Sequence, residues 1–529
     1  MDRIEKMLAG MSTREKVYQT MIQRSEAYIY DDDAQTKLEE SPFGGFFVGE
    51  EIIGSETMKG DAIIEAVKRA EKYSKTPPII CADTEFGCGY MFPDGRYSAF
   101  PWQMTLGATY DKDLAYGFGK YTAIPAREIG INLSLGPVSD INMNFLNPVV
   151  NTRAIGDDPT LVKDMLTSMI RGMQEYGMGA TAKHFPGDGV DYRDQHFVLT
   201  SNTLSFEEWK NTFGMVYKEL IDAGLLCVMM GHISLPAYQK ERIDGIAPPA
   251  TLSKELIVDL LKGELGFKYA VMSDALCMNG FRTTYCDQVK SEIECFKAGM
   301  DLMLWPCAEF ADALLAAVES GEVPMSRLDD AVRRILLLKE ELGLFGNKEF
   351  KTDKMDGLFA FSKEVSERAA TLVRDRKNIL PCKGAKKIAV IAVTSYDDEI
   401  ESLNVFKEEW EKNGVAVDMY REDCWEDPSQ YDLIVYCTFC HQHKPRGFLQ
   451  VVSSWQLGAI DRDKTVIVSF GSPYLIETNF PTVNAAVAMY SDTPDCQRAA
   501  VAAMLGQIPF SGKLPVKLPG HELGHLKLD

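Results

Sequence analysis

Residues 179–196 read GATAKHFPGDGVDYRDQH. The first four are small and mostly apolar, and the run stops at Lys183 and His184. Pro186, Gly187 and Gly189 then break any helix and predict a loop. Within the fourteen residues 183–196 stand Lys183, His184, Asp188, Asp191, Arg193, Asp194 and His196. A short buried strand that delivers its chain into a loop dense with ionisable groups is the unit from which the fold is read.

The same unit recurs on both sides. Pro78–Ala82 stops before Asp83, Leu133–Val138 before Asp140, and Leu226–Met230 before His232. Tyr269–Met272 stops before Asp274 and Met300–Leu304 before Trp305, while Gly44–Val48 is a further strand. Helical patterns fill the gaps, as at Ala62–Tyr73, Pro159–Tyr176, Leu252–Lys262 and Gln288–Lys297. Strands alternating with helices predict a parallel sheet covered by helices. Reactive residues at the ends of several strands point to a (β/α)₈ barrel. Seven strands are evident and the eighth is not, so an open doubly wound sheet is the alternative.

The amphipathic stretch Ser326–Phe345, with Ser326 as its N-cap, closes this part of the chain. The expected organisation is an α/β protein with a TIM-like barrel over residues 1–350, a linker over 351–385 and a smaller αβ sandwich over 386–529. In the last part Lys387–Val393, Leu433–Tyr436, Thr465–Phe470 and Ala485–Tyr490 read as strands, and Cys496–Leu505 as a helix. A helical stretch is expected at Ser362–Val373.

The chain of 529 residues carries 56 Lys and Arg against 77 Asp and Glu, a net charge of −21. Such a surface repels nucleic acid and anionic lipid, so neither is an expected partner. No basic start is followed by an apolar core and no apolar run reaches membrane-spanning length. The expectation is a cytoplasmic protein whose twelve cysteines are reduced thiols. The sequence sets no oligomeric state.

Three stretches carry the chemistry. In the 183–196 loop, Asp194 stands two residues before His196, close enough for the carboxylate to orient the imidazole for general acid/base work; the alternative is a solvated polar loop. Asp274 ends an apolar strand, where an unpaired carboxylate is costly; it either faces a pocket or caps the next helix. Residues 136–159 offer Asn142, Asn144, Asn147, Asn151 and Arg153 to a polar ligand such as a sugar, or simply build turns. His521–His525, HELGH, matches a zinc-peptidase motif, but Gly524 and the nearby chain end argue against it, and no metal or organic cofactor is expected. Cys437–Cys440 is a lone CxxC that reads as strand cysteines. Phosphate-binding glycine loops and a GxSxG elbow are missing.

KHFPGDG, four residues, then DQH, together with VMSDALCM, resembles glycoside hydrolase family three, and more narrowly its bacterial β-N-acetylglucosaminidase branch. PPIICADTE, GPVSDIN, NPVVNTRAIGDDP, VMMGHI, AGMDLML and GKLPVKLPG add ordered matches along the chain. The resemblance implies a barrel followed by an αβ sandwich. It makes Asp274 the nucleophile and His196 the acid/base with Asp194 as partner. It places Asp83, Arg153, Lys183 and His184 at sugar-binding positions, and His232 is grouped with them. The branch has an arginine where this chain has Met91, with Arg96 as a possible replacement, and a histidine where it has Asp188. The implied reaction is retaining hydrolysis of β-linked N-acetylglucosamine in peptidoglycan- or chitin-derived fragments. Phosphorolysis of such glycosides, or of β-glucosides, is the alternative, because a neutral His does not repel phosphate as a carboxylate would. A catalytically silent sugar-binding protein is the alternative from another class. In the second domain the loop Cys440–Gly447 is expected to reach the outer-sugar side of the pocket through His441 and Arg446.

Overall fold

The computed structural model describes residues 3–520, apart from 31–32, 50, 54–55, 93, 347, 395–398, 422–427 and 440–459. The chain divides into two compact units. The first comprises 1–98, 115–141 and 166–356, and the second 99–114, 142–165 and 357–529.

In the first unit, among the described residues, eight short parallel strands close a barrel. In chain order they are Met21–Arg24, Gly45–Phe47, Ile79–Ala82, Leu133–Ser134, Thr181–Phe185, Cys227–Met230, Val271–Ser273 and Met303–Leu304. Five pair in one sheet and three in another. Parallel bridges from Leu133 to Gly179 and from Met272 to Leu302 join the two sheets at both edges. The strand hidden in the sequence is Met21–Arg24, MIQR, which lacks an apolar run because the segment is short and leaves the barrel wall at once.

The strands alternate in and out. Ile22, Ile79, Cys81, Leu133, Cys227, Met229, Met272, Leu302 and Leu304 form one buried cluster inside the barrel, with Leu338 and Leu342 packed against it. Each such side chain contributes roughly 1.5–3 kcal/mol of burial. Gly45 is required by this packing: a Cβ there would sit 2.2 Å from the Ile79 carbonyl oxygen and 2.7 Å from Ile22. The helix that follows spans Met325–Glu341. Pro324 precedes it, so Ser326 lies inside the first turn and is not its cap.

The second unit holds a six-stranded sheet in the order Thr371–Asp375, Ala485–Ala488, Thr465–Ser469, Leu433–Phe439, Lys387–Thr394, Ala416–Arg421. All neighbours are parallel except the first pair. Helix Leu358–Ala369 ends four residues before the expected limit at Val373, because Thr371–Asp375 pairs with Ala485–Ala488 as an edge strand. Apolar clusters cover both faces of this sheet. Residues 99–114 and 142–165, early in the chain, group with this unit.

Candidate active site

The barrel delivers its polar residues by strand register. Cys81 faces the interior, so Asp83, two residues on, faces the mouth. Met272 places Asp274 in the same way. The fifth strand, Thr181–Phe185, carries Lys183 and His184, both buried, just before its end.

Lys183 joins two carboxylates: its Nζ lies 2.9 Å from Asp83 Oδ1 and 2.7 Å from Glu85 Oε1. His184 is held from below by Asp140, whose Oδ2 lies 2.7 Å from Nδ1. The other oxygen of Asp140 accepts the backbone N–H groups of His184 and Asp188 at 3.1 and 2.7 Å. This leaves His184 Nε2 facing Asp274, 3.9 Å from Oδ2. Asp188 is buried and its Oδ1 accepts the Gly189 N–H at 2.6 Å.

Burial raises the Asp274 carboxyl, but His184, His232 and His196 and the backbone N–H of Ala275 outweigh it and hold the pKa below the ordinary carboxylate value. Asp274 is therefore anionic at neutral pH. Its Oδ1 accepts the N–H of Ala275, its immediate neighbour, and no helix cap is made. His232 is buried, between Thr251 Oγ1 and the Ala275 carbonyl, each 3.1 Å from a ring nitrogen. Burial lowers its pKa despite the nearby Asp274 carboxylate.

The loop after the fifth strand turns at Gly187, where φ is +121° and a Cβ would lie 2.1 Å from Phe213. Trp209 Nε1 donates to the Pro186 carbonyl at 2.7 Å and anchors the turn. Further on, His196 Nδ1 lies 2.6 Å from Asp194 Oδ1, and the same oxygen accepts the His196 N–H at 2.8 Å. The His196 side chain is 42% exposed, whereas His184 is buried. Asp191 pairs with Arg193 and accepts the Ser201 N–H, bracing the loop.

The structure thus brings Asp83, Lys183, His184, His232 and Asp274 to one end of the barrel, with His196 close enough to act on Asp274 electrostatically. Asp140 and Glu85 complete the site. Their signal in the sequence was positional, since each follows a strand by a few residues, like Asp83 and Asp274. Arg153 belongs to the second compact unit, where it is buried and its Nη1 donates to the Val149 carbonyl. Asn147 Oδ1 accepts from Val149 and Val150 and Asn144 Oδ1 from Leu146, so these two amides build turns. Met91 is buried, and Arg96 is paired with Asp61 and Asp94 at the surface. His441, Arg446 and the HELGH segment lie outside the described residues, as does Cys440; Cys437 is buried in the second sheet. No group of metal-ligating side chains occurs among the described residues, and none of their helices is long and apolar enough to cross a membrane.

Residues 12–338, more than half the chain, match the glycosyl hydrolase family 3 N terminal domain. The chain belongs to glycosyl hydrolase family 3. It is 30% identical over 495 residues to the beta-N-acetylglucosaminidase/beta-glucosidase of Cellulomonas fimi, covering 87% of each chain. The structure of beta-glucoside phosphorylase BglX bound to 2FGlc superposes with a TM-score of 0.86 at 27% identity, covering 97% of this chain and 96% of that one. A family 3 beta-N-acetylglucosaminidase from Paenibacillus sp. gives 0.82 at 26% identity, covering 96% and 99%. The fold is therefore that of family 3 structures, a TIM-like barrel with a second sheet domain, and the chain is a glycoside hydrolase.

Proposed function

We propose that this enzyme is a retaining β-N-acetylglucosaminidase acting on β-linked N-acetylglucosamine in peptidoglycan- or chitin-derived fragments. The observation that carries the reading is the pairing of an anionic Asp274 at a strand end with an Asp194–His196 dyad on a neighbouring loop. The names of the Cellulomonas fimi and Paenibacillus relatives support the same substrate class.

In this mechanism Asp274 attacks the anomeric carbon while His196 protonates the departing oxygen. Asp194 holds the imidazole by Nδ1, leaving Nε2 for the proton transfer, and stabilises the imidazolium. A glycosyl-enzyme forms on Asp274, and His196 then removes a proton from the acceptor. Asp83, Lys183 and His184 bind the hydroxyl groups of the sugar, with His232 beside the nucleophile. Asp140 holds the His184 ring by Nδ1, which turns Nε2 towards Asp274 at 3.9 Å.

Phosphorolysis is the second reading. Its support is the likeness to beta-glucoside phosphorylase BglX and the imidazole acid/base, which leaves an anionic acceptor unopposed by a carboxylate at that position. One experiment separates them: aryl β-N-acetylglucosaminides and β-glucosides are assayed with and without phosphate, and product anomers are followed by NMR. The hydrolase reading predicts a β-configured free sugar, unchanged by phosphate. A sugar 1-phosphate as main product selects the second reading, and a higher kcat/KM for the glucoside overturns the glycone assignment.

A further inference from the structure

Strands three to seven carry the polar site. The remaining three strand ends carry Arg24, Phe47 and Trp305, and their arrangement is unusual. Ile22 belongs to the cluster inside the barrel, so Arg24, two residues on, rises at the mouth on the same face. Leu302 and Leu304 also face inward, and regular alternation would turn Trp305 outwards. Instead its φ is +55°, a left-handed value uncommon for a bulky side chain, and the indole packs against the inner cluster. Phe47 meets the indole edge-on with ring centroids 5.1 Å apart, and the Arg24 guanidinium lies 4.1 Å from the ring centroid. A strained residue persists where its surroundings hold it, and such residues cluster at working sites.

The bridge between Met272 and Leu302 sets Leu304 beside Asp274. Trp305 therefore stands one residue beyond the strand end next to the nucleophile. Arg24 is two strand spacings, about 10 Å, from the strand of Asp274, with Trp305 between them. Among the described residues Arg24 makes no side-chain hydrogen bond, and its ion-pair contact is Glu26 Oε1 at 3.9 Å. Its side chain is 52% exposed. Stacking thus fixes the plane of the guanidinium while its N–H donors remain available, the condition in which an arginine recognises an oxyanion.

We propose that Arg24, held on Trp305, binds an oxyanion on the side of the pocket where the leaving group departs and the acceptor enters. This rests on the glycosidase reading, in which both occupy one position. At about 10 Å it is too distant to contact the anomeric oxygen from its backbone and suits a group further along the leaving group or on the acceptor. Two sources offer the same chemistry: a carboxylate on the leaving group, or inorganic phosphate.

The test uses two S-linked aryl β-N-acetylglucosaminides that differ only in a 4-carboxylate or a 4-carboxamide, with binding to the full chain read by calorimetry. Arg24→Gln should weaken the carboxylate ligand about tenfold relative to the carboxamide. Arg24→Lys should fall between, and Glu26→Gln, which removes the opposing carboxylate, should tighten carboxylate binding. Equal effects on both ligands, or no influence of Glu26→Gln and Arg24→Gln on their ratio, overturns the proposal. Displacement of the carboxylate ligand by inorganic phosphate from the wild type but not from Arg24→Gln names phosphate as a source; no displacement names the leaving-group carboxylate. Turnover of the matching O-linked glycosides is read separately. Its absence, with carboxylate selectivity intact, would defeat the glycosidase reading and leave the anion site standing.

Discussion

The strand Val271–Ser273 begins beside one buried carboxylate and ends at a second that is partly exposed. At its start Asp301 accepts the Val271 N–H at 3.0 Å, binds Lys262 at 2.7 Å and Arg327 at 3.2 Å, and is fully buried. At its end Asp274 has one backbone N–H within hydrogen-bonding distance and the imidazole of His184 at 3.9 Å. The first carboxylate is saturated by groups that cannot leave it. The second is kept ionised by imidazoles that stand back from it, so its lone pairs are free for an electrophile. The same residue type is structural beside one end of this strand and reactive at the other, and the difference lies in how completely each is hydrogen-bonded.

The largest effect should come from Asp274→Ala, which removes the nucleophile: kcat for an aryl β-N-acetylglucosaminide should fall about 10⁴-fold or more. The thermal midpoint should change little, because Asp274 makes only a local hydrogen bond to the Ala275 N–H and its His184 contact is long, at 3.9 Å. Asp301→Ala should do the opposite. It strands Lys262 and Arg327 in the interior, and denaturant titration should show a loss of about 3–5 kcal/mol. An Asp301 variant as stable as the wild type would break the comparison.

A smaller effect is expected at the loop. Asp194→Asn should lower kcat/KM by about 10²-fold for glycosides with poor leaving groups, and less for activated ones that need little protonation. Equal losses across leaving groups would remove His196 as the acid.

The smallest effect concerns Lys339, fully buried, whose Nζ donates to Gln19 Oε1 at 2.7 Å. Burial pushes its pKa from 10.5 down to about 7. Between those values the folded state holds fewer protons than the unfolded chain, so stability should rise with pH across that window. Lys339→Met should flatten this slope and be neutral or stabilising by up to about 4 kcal/mol near neutral pH. An unchanged slope would show that the lysine does not titrate there.

How much of this was legible follows from residue chemistry. Asp83, Lys183, His184, His232 and Asp274 were readable because each interrupts an apolar run, and the barrel register then turns each to the mouth. The loop dyad was readable because Asp194 and His196 are two residues apart. Asp140 was seen only as a strand end, since its role depends on a partner 44 residues away in sequence. The first strand escaped because MIQR has no apolar run, and the edge strand Thr371–Asp375 because it follows a helix after a single residue. Trp305 could not have been placed at all: alternation points it outwards, and only its backbone angle brings it in.

The central claim is that Asp274, and not another carboxylate at the barrel mouth, takes the sugar. The most direct measurement is inactivation with a 2-fluoro mechanism-based glycoside, followed by peptide mapping of the stable adduct. The account predicts stoichiometric labelling of Asp274, lost in Asp274→Ala. Label on Asp83, Glu85 or Asp194 would contradict it.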